Sequence, residues 1–158
     1  MTHRAKKSLA GIEDNLRALG KMTGRVKEPE QLIDSGRLRL EKITATSRQI
    51  TNRPRVFCME WLDPVYCSGH WVPGMVDIAG GVDKLRRKGT DSVRVSSNDV
   101  LEWAPEVLIV IPCGFNLDKV VVQTPYKRDS VIRGTVHPLP KLILASPGST
   151  LNTLRFDL

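Results

Sequence analysis

The sequence predicts an α/β domain with a Rossmann-like parallel sheet, preceded by a long helix. Two apolar runs, residues 55–61 and 107–111, lack the alternation of a half-exposed strand, so both are expected in a sheet that is covered on its two faces. Between them, helical patterns alternate with a strand pattern, which is typical of a doubly wound sheet. Apolar residues spaced three and four apart between residues 32 and 50 predict the long helix.

Residues 1–54 are predicted to be helical. Apolar residues recur at helical spacing from Leu9 to Leu19, and Gly20 with Gly24 mark the end of this first helix. Pro29 suits the first turn of a second helix, which residues 52–54 terminate. Because its apolar stripe is thin, this long helix is expected to lie along a partner surface and not inside a core. The stripe consists of Leu32, Gly36, Leu40, Ile43, Ser47 and Ile50.

Residues 55–122 carry the α/β pattern. After the first strand we expect a short helix at residues 73–79, a loop of solvated charges at 84–89 and a brief strand at 92–95. Ser96 and Asp99 have the spacing of a capping box, which predicts a further helix before the 107–111 strand. Residues 123–158 are poorly patterned: they contain four prolines, and only residues 139–145 suggest another strand.

Composition and charge exclude several classes of protein. The net charge of +7 is confined to the flanks, because residues 56–118 carry 5 Lys/Arg against 9 Asp/Glu and hold all three tryptophans. A nucleic-acid binder would combine basic residues with aromatic ones, so no nucleic-acid partner is expected. No apolar run approaches the roughly 20 residues of a membrane span, and Met1 is not followed by the apolar core of a signal peptide. The chain is therefore expected to stay in the cytoplasm.

The predicted site lies beyond the carboxyl ends of the strands, where open parallel sheets bind ligands. Aromatic rings, carboxylates and an imidazole follow the first strand, and a thiol and a phenyl ring follow the 107–111 strand. Such a set can hold a flat organic ligand by stacking, while a few polar groups orient it. The candidate ligand-binding residues are Glu60, Trp61, Asp63, His70, Trp71, Cys113 and Phe115.

Catalytic and metal sites are weaker alternatives. His70 could pair with Cys58, Cys67 or Cys113 as a thiol nucleophile, or with Asp63 in a metal site. The three cysteines form no C-x-x-C pair, and no hydrolase, zinc-protease or phosphate-loop motif is present. Free thiols are expected, with no catalytic residue, no metal and no required cofactor. A small enzyme and a basic interaction protein remain the alternatives to a binding module.

An ordered series of short motifs across roughly residues 8–122 resembles the cobalamin and iron-siderophore class of periplasmic solute-binding proteins. The motifs that match are Leu19–Gly24, Arg53–Val56, Glu60–Pro64, Gly69–Pro73, Ala79–Gly81, Val95-Ser96 with Val100-Leu101, Pro105–Val107 and Pro112–Phe115.

The resemblance implies an incomplete bilobal, class III solute-binding fold. Residues 1–54 would contain the helix that connects two lobes, and residues 55–122 part of the second lobe, followed by a divergent segment at 123–158. Proteins of this class are normally periplasmic or anchored outside the membrane. They bind cobalamin or a ferric siderophore between the lobes and deliver it to an ABC permease. The turn that follows Ser96 departs from the family pattern, and Asp99 is the residue that could substitute for the carboxylate with which family members dock the permease. A truncated or divergent binding protein is the favoured function, with a non-functional gene fragment as a further alternative.

Overall fold

The computed structural model describes residues 7–112, Gly114 and residues 141–144. Two antiparallel helices come first: α1 (Leu9–Thr23) and α2 (Lys27–Ser47). The Ser8 hydroxyl accepts a hydrogen bond from the backbone N–H of Gly11 at 3.1 Å and so caps α1. Gly24, with φ of 71°, ends this helix in the left-handed conformation that glycine adopts at little cost. Both predicted helices are therefore present.

Two bidentate ion pairs tie α1 to α2. Arg17 donates to the Glu30 carboxylate at 2.9 and 3.2 Å, and Arg37 donates to that of Glu13 at 2.9 and 2.6 Å. The Arg37 guanidinium lowers the pKa of Glu13. All four side chains are solvent-accessible, so these pairs contribute little to stability. Their main effect is to fix how α1 and α2 are aligned.

The packed face of α2 coincides with half of the predicted stripe. Ile33 is only 3% exposed, whereas the stripe residues Leu32, Ile43 and Ile50 are 62%, 46% and 41% exposed. The packed face begins at Pro29 and Ile33 and continues along α2 through half-buried positions. Those positions include the other three stripe residues, Gly36, Leu40 and Ser47.

A five-stranded mixed sheet follows. Its strands are β1 (Val56–Leu62), β2 (Val65–Cys67), β3 (Val93–Arg94), β4 (Val107–Val110) and β5 (Lys141–Leu144), in the order β3-β2-β1-β4-β5. Strands β1, β4 and β5 are parallel, with Val56 opposite Val107 and Val107 opposite Lys141. The predicted parallel core is confirmed. Strand β2 is antiparallel to both of its neighbours, β1 and β3. The sequence analysis did not predict β2.

Two short helices cover opposite faces of the sheet. Helix α3 (Val72–Ile78) packs Val76 against Val56 and Cys58, and helix α4 (Ser97–Trp103) packs Val100 against the other face. Successive strand residues alternate between the two faces, which explains why β1 is continuously apolar from Val56 to Met59. Burying one such side chain contributes about 1.5–3 kcal/mol. The core facing α4 comprises Phe57, Met59, Val65, Cys67, Val100, Leu108 and Val110.

Helix α4 begins with the predicted capping box. The Ser96 hydroxyl accepts from the backbone N–H of Asp99 at 3.1 Å, and the Asp99 carboxylate accepts from the backbone N–H of Ser96 at 3.0 Å. Two donors of the first helical turn are thereby satisfied. None of the four described helices is both long and apolar enough to cross a bilayer.

Candidate functional site

The first part of the candidate site is the turn between β1 and β2. Trp61 leaves the sheet with 39% of its surface exposed, and its indole N–H donates to the backbone carbonyl of Asp63 at 3.1 Å. The peptide bond between Asp63 and Pro64 is cis. The hydrogen bond fixes the indole ring at the tip of the hairpin and brings Trp61 next to the backbone of Asp63.

The second part is the loop that leads from β2 into α3. His70 donates its backbone N–H to the carbonyl of Thr90 at 2.6 Å and accepts from the backbone N–H of Gly89 at 2.8 Å. The backbone N–H of Gly69 donates to the Ser92 hydroxyl at 3.0 Å. Residues 69–70 are therefore held against residues 89–92, a segment far away in the sequence.

Gly69 makes this contact possible. A Cβ atom at this position would lie 2.4 Å from the backbone of Asp91 and of Ser92, and 2.5 Å from the Thr90 carbonyl oxygen. Backbone atoms cannot move aside as the end of a flexible side chain can. Only glycine allows the two loops to approach this closely.

Glu60 joins β1 to the same assembly. The Ser92 hydroxyl donates to the Glu60 carboxylate while it accepts from Gly69. One serine therefore links the carboxyl end of β1, the loop before α3 and the start of β3. The predicted residue Glu60 lies in the site, but its role in the structure is to brace the loops.

His70 and Trp71 form the aromatic part of the site. Their ring centroids are 5.8 Å apart with the planes tilted by 40°. Trp71 is 40% exposed, and Met75, one turn further along α3, is 48% exposed. His70, Trp71 and Met75 thus expose aromatic and apolar surface at the start of α3. The other two predicted residues, Cys113 and Phe115, lie outside the described residues.

The thiols of β1 and β2 are poor nucleophiles. Cys58 and Cys67 are 2% and 0% exposed. Burial raises the pKa of Cys58 to about 12 and also raises that of Cys67, so neither forms the thiolate that nucleophilic catalysis needs. Among the described residues, no group of three or more His, Cys, Asp or Glu side chains could hold a metal ion.

The sequence analysis missed a polar cluster behind the loops. The Ser68 hydroxyl is buried and has no hydrogen-bond partner among the described residues, and the same holds for one carboxylate oxygen of Asp83. Arg86, expected in a solvated loop, is half-buried and donates to the Thr90 hydroxyl at 3.0 Å. Burial raises the pKa of Asp83 to about 6. Ionising this carboxyl group therefore disfavours the folded state as the pH rises through that value.

Asp99 is exposed at the first turn of α4. Its carboxylate also accepts from the Ser96 hydroxyl at 2.7 Å, and these hydrogen bonds lower the pKa of Asp99. The carboxylate is consequently ionised near neutral pH, and its position is fixed by the cap.

The fold matches solved structures of ABC-importer substrate-binding proteins. They include the Staphylococcus aureus protein IsdE complexed with heme (TM-score 0.66, 17% identity, 88% of this chain and 56% of that chain covered). An Fe3+-hydroxamate transport protein from Saccharomonospora viridis has a TM-score of 0.63 at 16% identity, and the match covers 90% of this chain and 49% of that chain. The vitamin B12 binding protein BtuF of Vibrio cholerae has a TM-score of 0.57 at 20% identity, and the match covers 75% of this chain and 44% of that chain.

These likenesses confirm the predicted resemblance at the level of the fold. The chain spans about half the length of the structures that it matches. No protein-family model and no curated protein matches the sequence.

Gly69→Ala is expected to destabilise the protein by about 1–3 kcal/mol, because the added methyl group would clash with the backbone of residues 90–92. Gly74→Ala in α3 is the matched control. Its Cβ would meet nothing closer than 3.9 Å, and alanine favours the helix by about 0.5–1 kcal/mol. Denaturant unfolding of both variants measures the difference, and equal stabilities would contradict the close packing of the two loops.

Iodoacetamide at neutral pH is expected to leave Cys58 and Cys67 of the folded protein unmodified, because both thiols are buried and protonated. Both should be alkylated once the protein is unfolded in denaturant, which serves as the control. Peptide mass spectrometry identifies the modified positions. Rapid alkylation of either cysteine in the folded protein, abolished by replacing His70, would instead support a thiol–imidazole enzyme.

Proposed function

We propose that this chain is a ligand-binding lobe of a cobalamin- or iron-siderophore-type solute-binding protein that serves an ABC importer. It acts as one wall of a binding cleft and catalyses no reaction. In this proposal, residues 1–54 contribute the helical segment and residues 55–122 part of the ligand-binding lobe. Within the 123–158 segment, β5 extends the same sheet through its pairing with β4.

The observation that carries the proposal is the pair of tryptophans at the rim of the sheet. Trp61 and Trp71 are 39% and 40% exposed, although large aromatic side chains contribute most to stability when they are buried. Both are held in place, Trp61 by its hydrogen bond to Asp63 and Trp71 by the anchored loop before α3. Rigid, half-exposed aromatic rings suit the binding of a flat ligand, because little conformational entropy is lost when they stack.

The chemistry of the similar proteins supports the choice of ligand. Their descriptions name heme, an Fe3+-hydroxamate and vitamin B12 as what they bind or transport. All three are large metal complexes, and two of them contain a flat macrocycle. We infer the same class of ligand for this chain, with Asp63 and His70 as the polar groups that orient it and with Cys113 and Phe115 completing the site.

A single wall is expected to bind weakly. A ligand enclosed by two lobes loses about half of its contacts when only one is present, and affinity falls steeply with lost contact. Full affinity therefore requires a second lobe of comparable size, which fits the fact that the chain covers about half of the structures it matches. The ionised, exposed Asp99 is our candidate for docking an arginine of the permease.

The alternative of a small Cys/His enzyme is less well supported. Its nucleophile would have to be Cys58 or Cys67, whose burial raises the pKa of both thiols, or Cys113. His70 contacts Trp71 and makes no hydrogen bond to either buried cysteine. A binding surface accounts for the exposed tryptophans, whereas the enzyme hypothesis does not.

Titration with aquocobalamin is expected to quench tryptophan fluorescence, because the corrin ring would stack on Trp61 and Trp71. After both residues are replaced by phenylalanine, Trp103 is the only tryptophan that still emits, and most of the quenching should be lost. Trp103 is the internal control, since it packs against the core below the rim and its indole N–H donates to the Val56 carbonyl at 3.1 Å.

Equilibrium dialysis with the same ligand supplies an independent measure that absorption by the corrin cannot distort. Retained ligand in the wild type and reduced retention in the double variant support the proposal. If the wild type retained no ligand and showed no quenching at tens of micromolar cobalamin, autonomous binding would be excluded and a gene fragment favoured.

A further inference from the structure

The segment of residues 83–92 holds the loop that leads into α3. Both ends of the segment are anchored to the sheet, because the backbone of Val82 forms hydrogen bonds of 2.8 and 2.9 Å beside the start of β1 and Val93 belongs to β3. Between these ends, the Thr90 carbonyl accepts a hydrogen bond from the backbone N–H of His70 at 2.6 Å. Opening of the segment would therefore free the loop and the aromatic side chains on it.

Arg86 is the half-buried side chain that holds the segment together. Its guanidinium group donates to the Thr90 hydroxyl at 3.0 Å and to the Asp91 carbonyl at 2.5 Å. The backbone of these two residues is part of the surface against which the loop before α3 packs. The ion pair that joins the segment to α3, between Lys88 and Asp77, is exposed and contributes little. The closed segment therefore depends on where the guanidinium group lies.

Asp83 places a poorly solvated carboxyl group in the same segment. One of its oxygens accepts from the backbone N–H of Leu85 at 3.0 Å, and the other is buried with no hydrogen-bond partner among the described residues. The Nε atom of Arg86 is likewise buried and has no partner in this part of the chain. Since a buried charge needs donors that this carboxylate lacks, burial raises the pKa of Asp83 from its ordinary 3.8 to about 6.

Among the described residues, the ionisable groups that act electrostatically on Asp83 are Arg86 of the same segment, Cys58 of β1 and Cys67 of β2. Burial raises the pKa of both thiols, so they stay uncharged at neutral pH. On α3, hydrogen bonds from two cationic side chains lower the pKa of Asp77. From α4, the ring of Trp103 faces the ammonium group of Lys84 at 5.6 Å. Within this set, Asp83 is the group whose charge changes near pH 6.

We propose that Asp83 and Arg86 form a pH-sensitive switch that sets how readily the 83–92 segment opens and frees the loop before α3. In the closed segment the carboxyl group is buried and keeps its proton, whereas in the open segment it is hydrated and releases the proton to water. The stabilisation of the closed form is therefore complete below about pH 4 and is lost as the pH rises through about 6.

The size of the effect follows from the two pKa values of this carboxyl group. A difference of about two units makes the equilibrium constant for opening about 100-fold larger at neutral pH than at acid pH. The switch is a property of the fold and goes beyond the proposed function, because it needs no ligand.

Amide hydrogen exchange, followed by NMR at pH 4 and pH 7, tests the switch at the backbone N–H of His70, which donates to Thr90. Its protection factor, corrected for the intrinsic effect of pH on exchange, should fall about 100-fold between the two conditions in the wild type. The fall should be absent in Asp83→Asn. Asparagine carries no charge, and its side-chain oxygen can still accept from the N–H of Leu85. Other groups that titrate over this range act on both proteins alike, so the comparison isolates Asp83.

Two controls make the result specific. Asp34→Asn makes the same chemical change at an exposed position on α2 and should keep the 100-fold fall. The backbone N–H of Ile111, which donates to the Met59 carbonyl at 2.9 Å, reports on global unfolding and should stay more protected than that of His70 at both pH values. If Asp83→Asn does not fold, titration of the wild-type carboxyl carbons by NMR measures the pKa of Asp83 directly.

The switch is supported by a fall in protection of His70 that is lost in Asp83→Asn and kept in Asp34→Asn. A fall that persists in Asp83→Asn, a fall that is lost in Asp34→Asn, or constant protection in the wild type would each overturn it. Protection of His70 equal to that of Ile111, or titration of the Asp83 carboxyl group near pH 4, would overturn it as well. No ligand enters these measurements, so the proposed function is decided separately by quenching and dialysis.

Discussion

The close approach of Gly69 to the backbone of residues 90–92 is the constraint on which the site depends. It brings the end of β2 against the start of β3 and lets the Ser92 hydroxyl join Gly69 to the Glu60 carboxylate. The same contact holds both backbone groups of His70 and so sets where α3 begins. The placement of His70 and Trp71 therefore depends on the glycine that precedes them.

The division between core and rim follows from the same arrangement. Along β1, residues such as Phe57 and Cys58 are buried on the two faces by α4 and α3, and they stabilise the sheet. Near the end of the strand, Trp61 is 39% exposed and is held by its hydrogen bond to the Asp63 carbonyl. A rigid sheet that ends in exposed aromatic side chains is suited to binding. Its two buried thiols, Cys58 and Cys67, have raised pKa values and are therefore unreactive.

Local signals predicted most of the elements, and contacts between distant segments account for what was missed. The capping box at Ser96 and the apolar β4 run identify their elements from a few neighbouring residues. Strand β2 has only three residues and is specified by its partners, β1 and β3. The partial burial of Arg86 and the positive φ of His70 likewise depend on the loop contact, which no local pattern encodes. The sequence thus identified Trp61 and Trp71 as candidates but did not predict the contacts that hold them.

The central claim is that the ligand contacts the rim tryptophans and spares the core. Nitrogen–hydrogen correlation NMR resolves the indole N–H signals of the three tryptophans and reports on each separately. On addition of aquocobalamin, the signals of Trp61 and Trp71 should shift in proportion to saturation, while that of Trp103, bonded to the Val56 carbonyl, stays in place. A shift confined to Trp103, or no shift of either rim signal at a ligand concentration that saturates dialysis, would contradict the account.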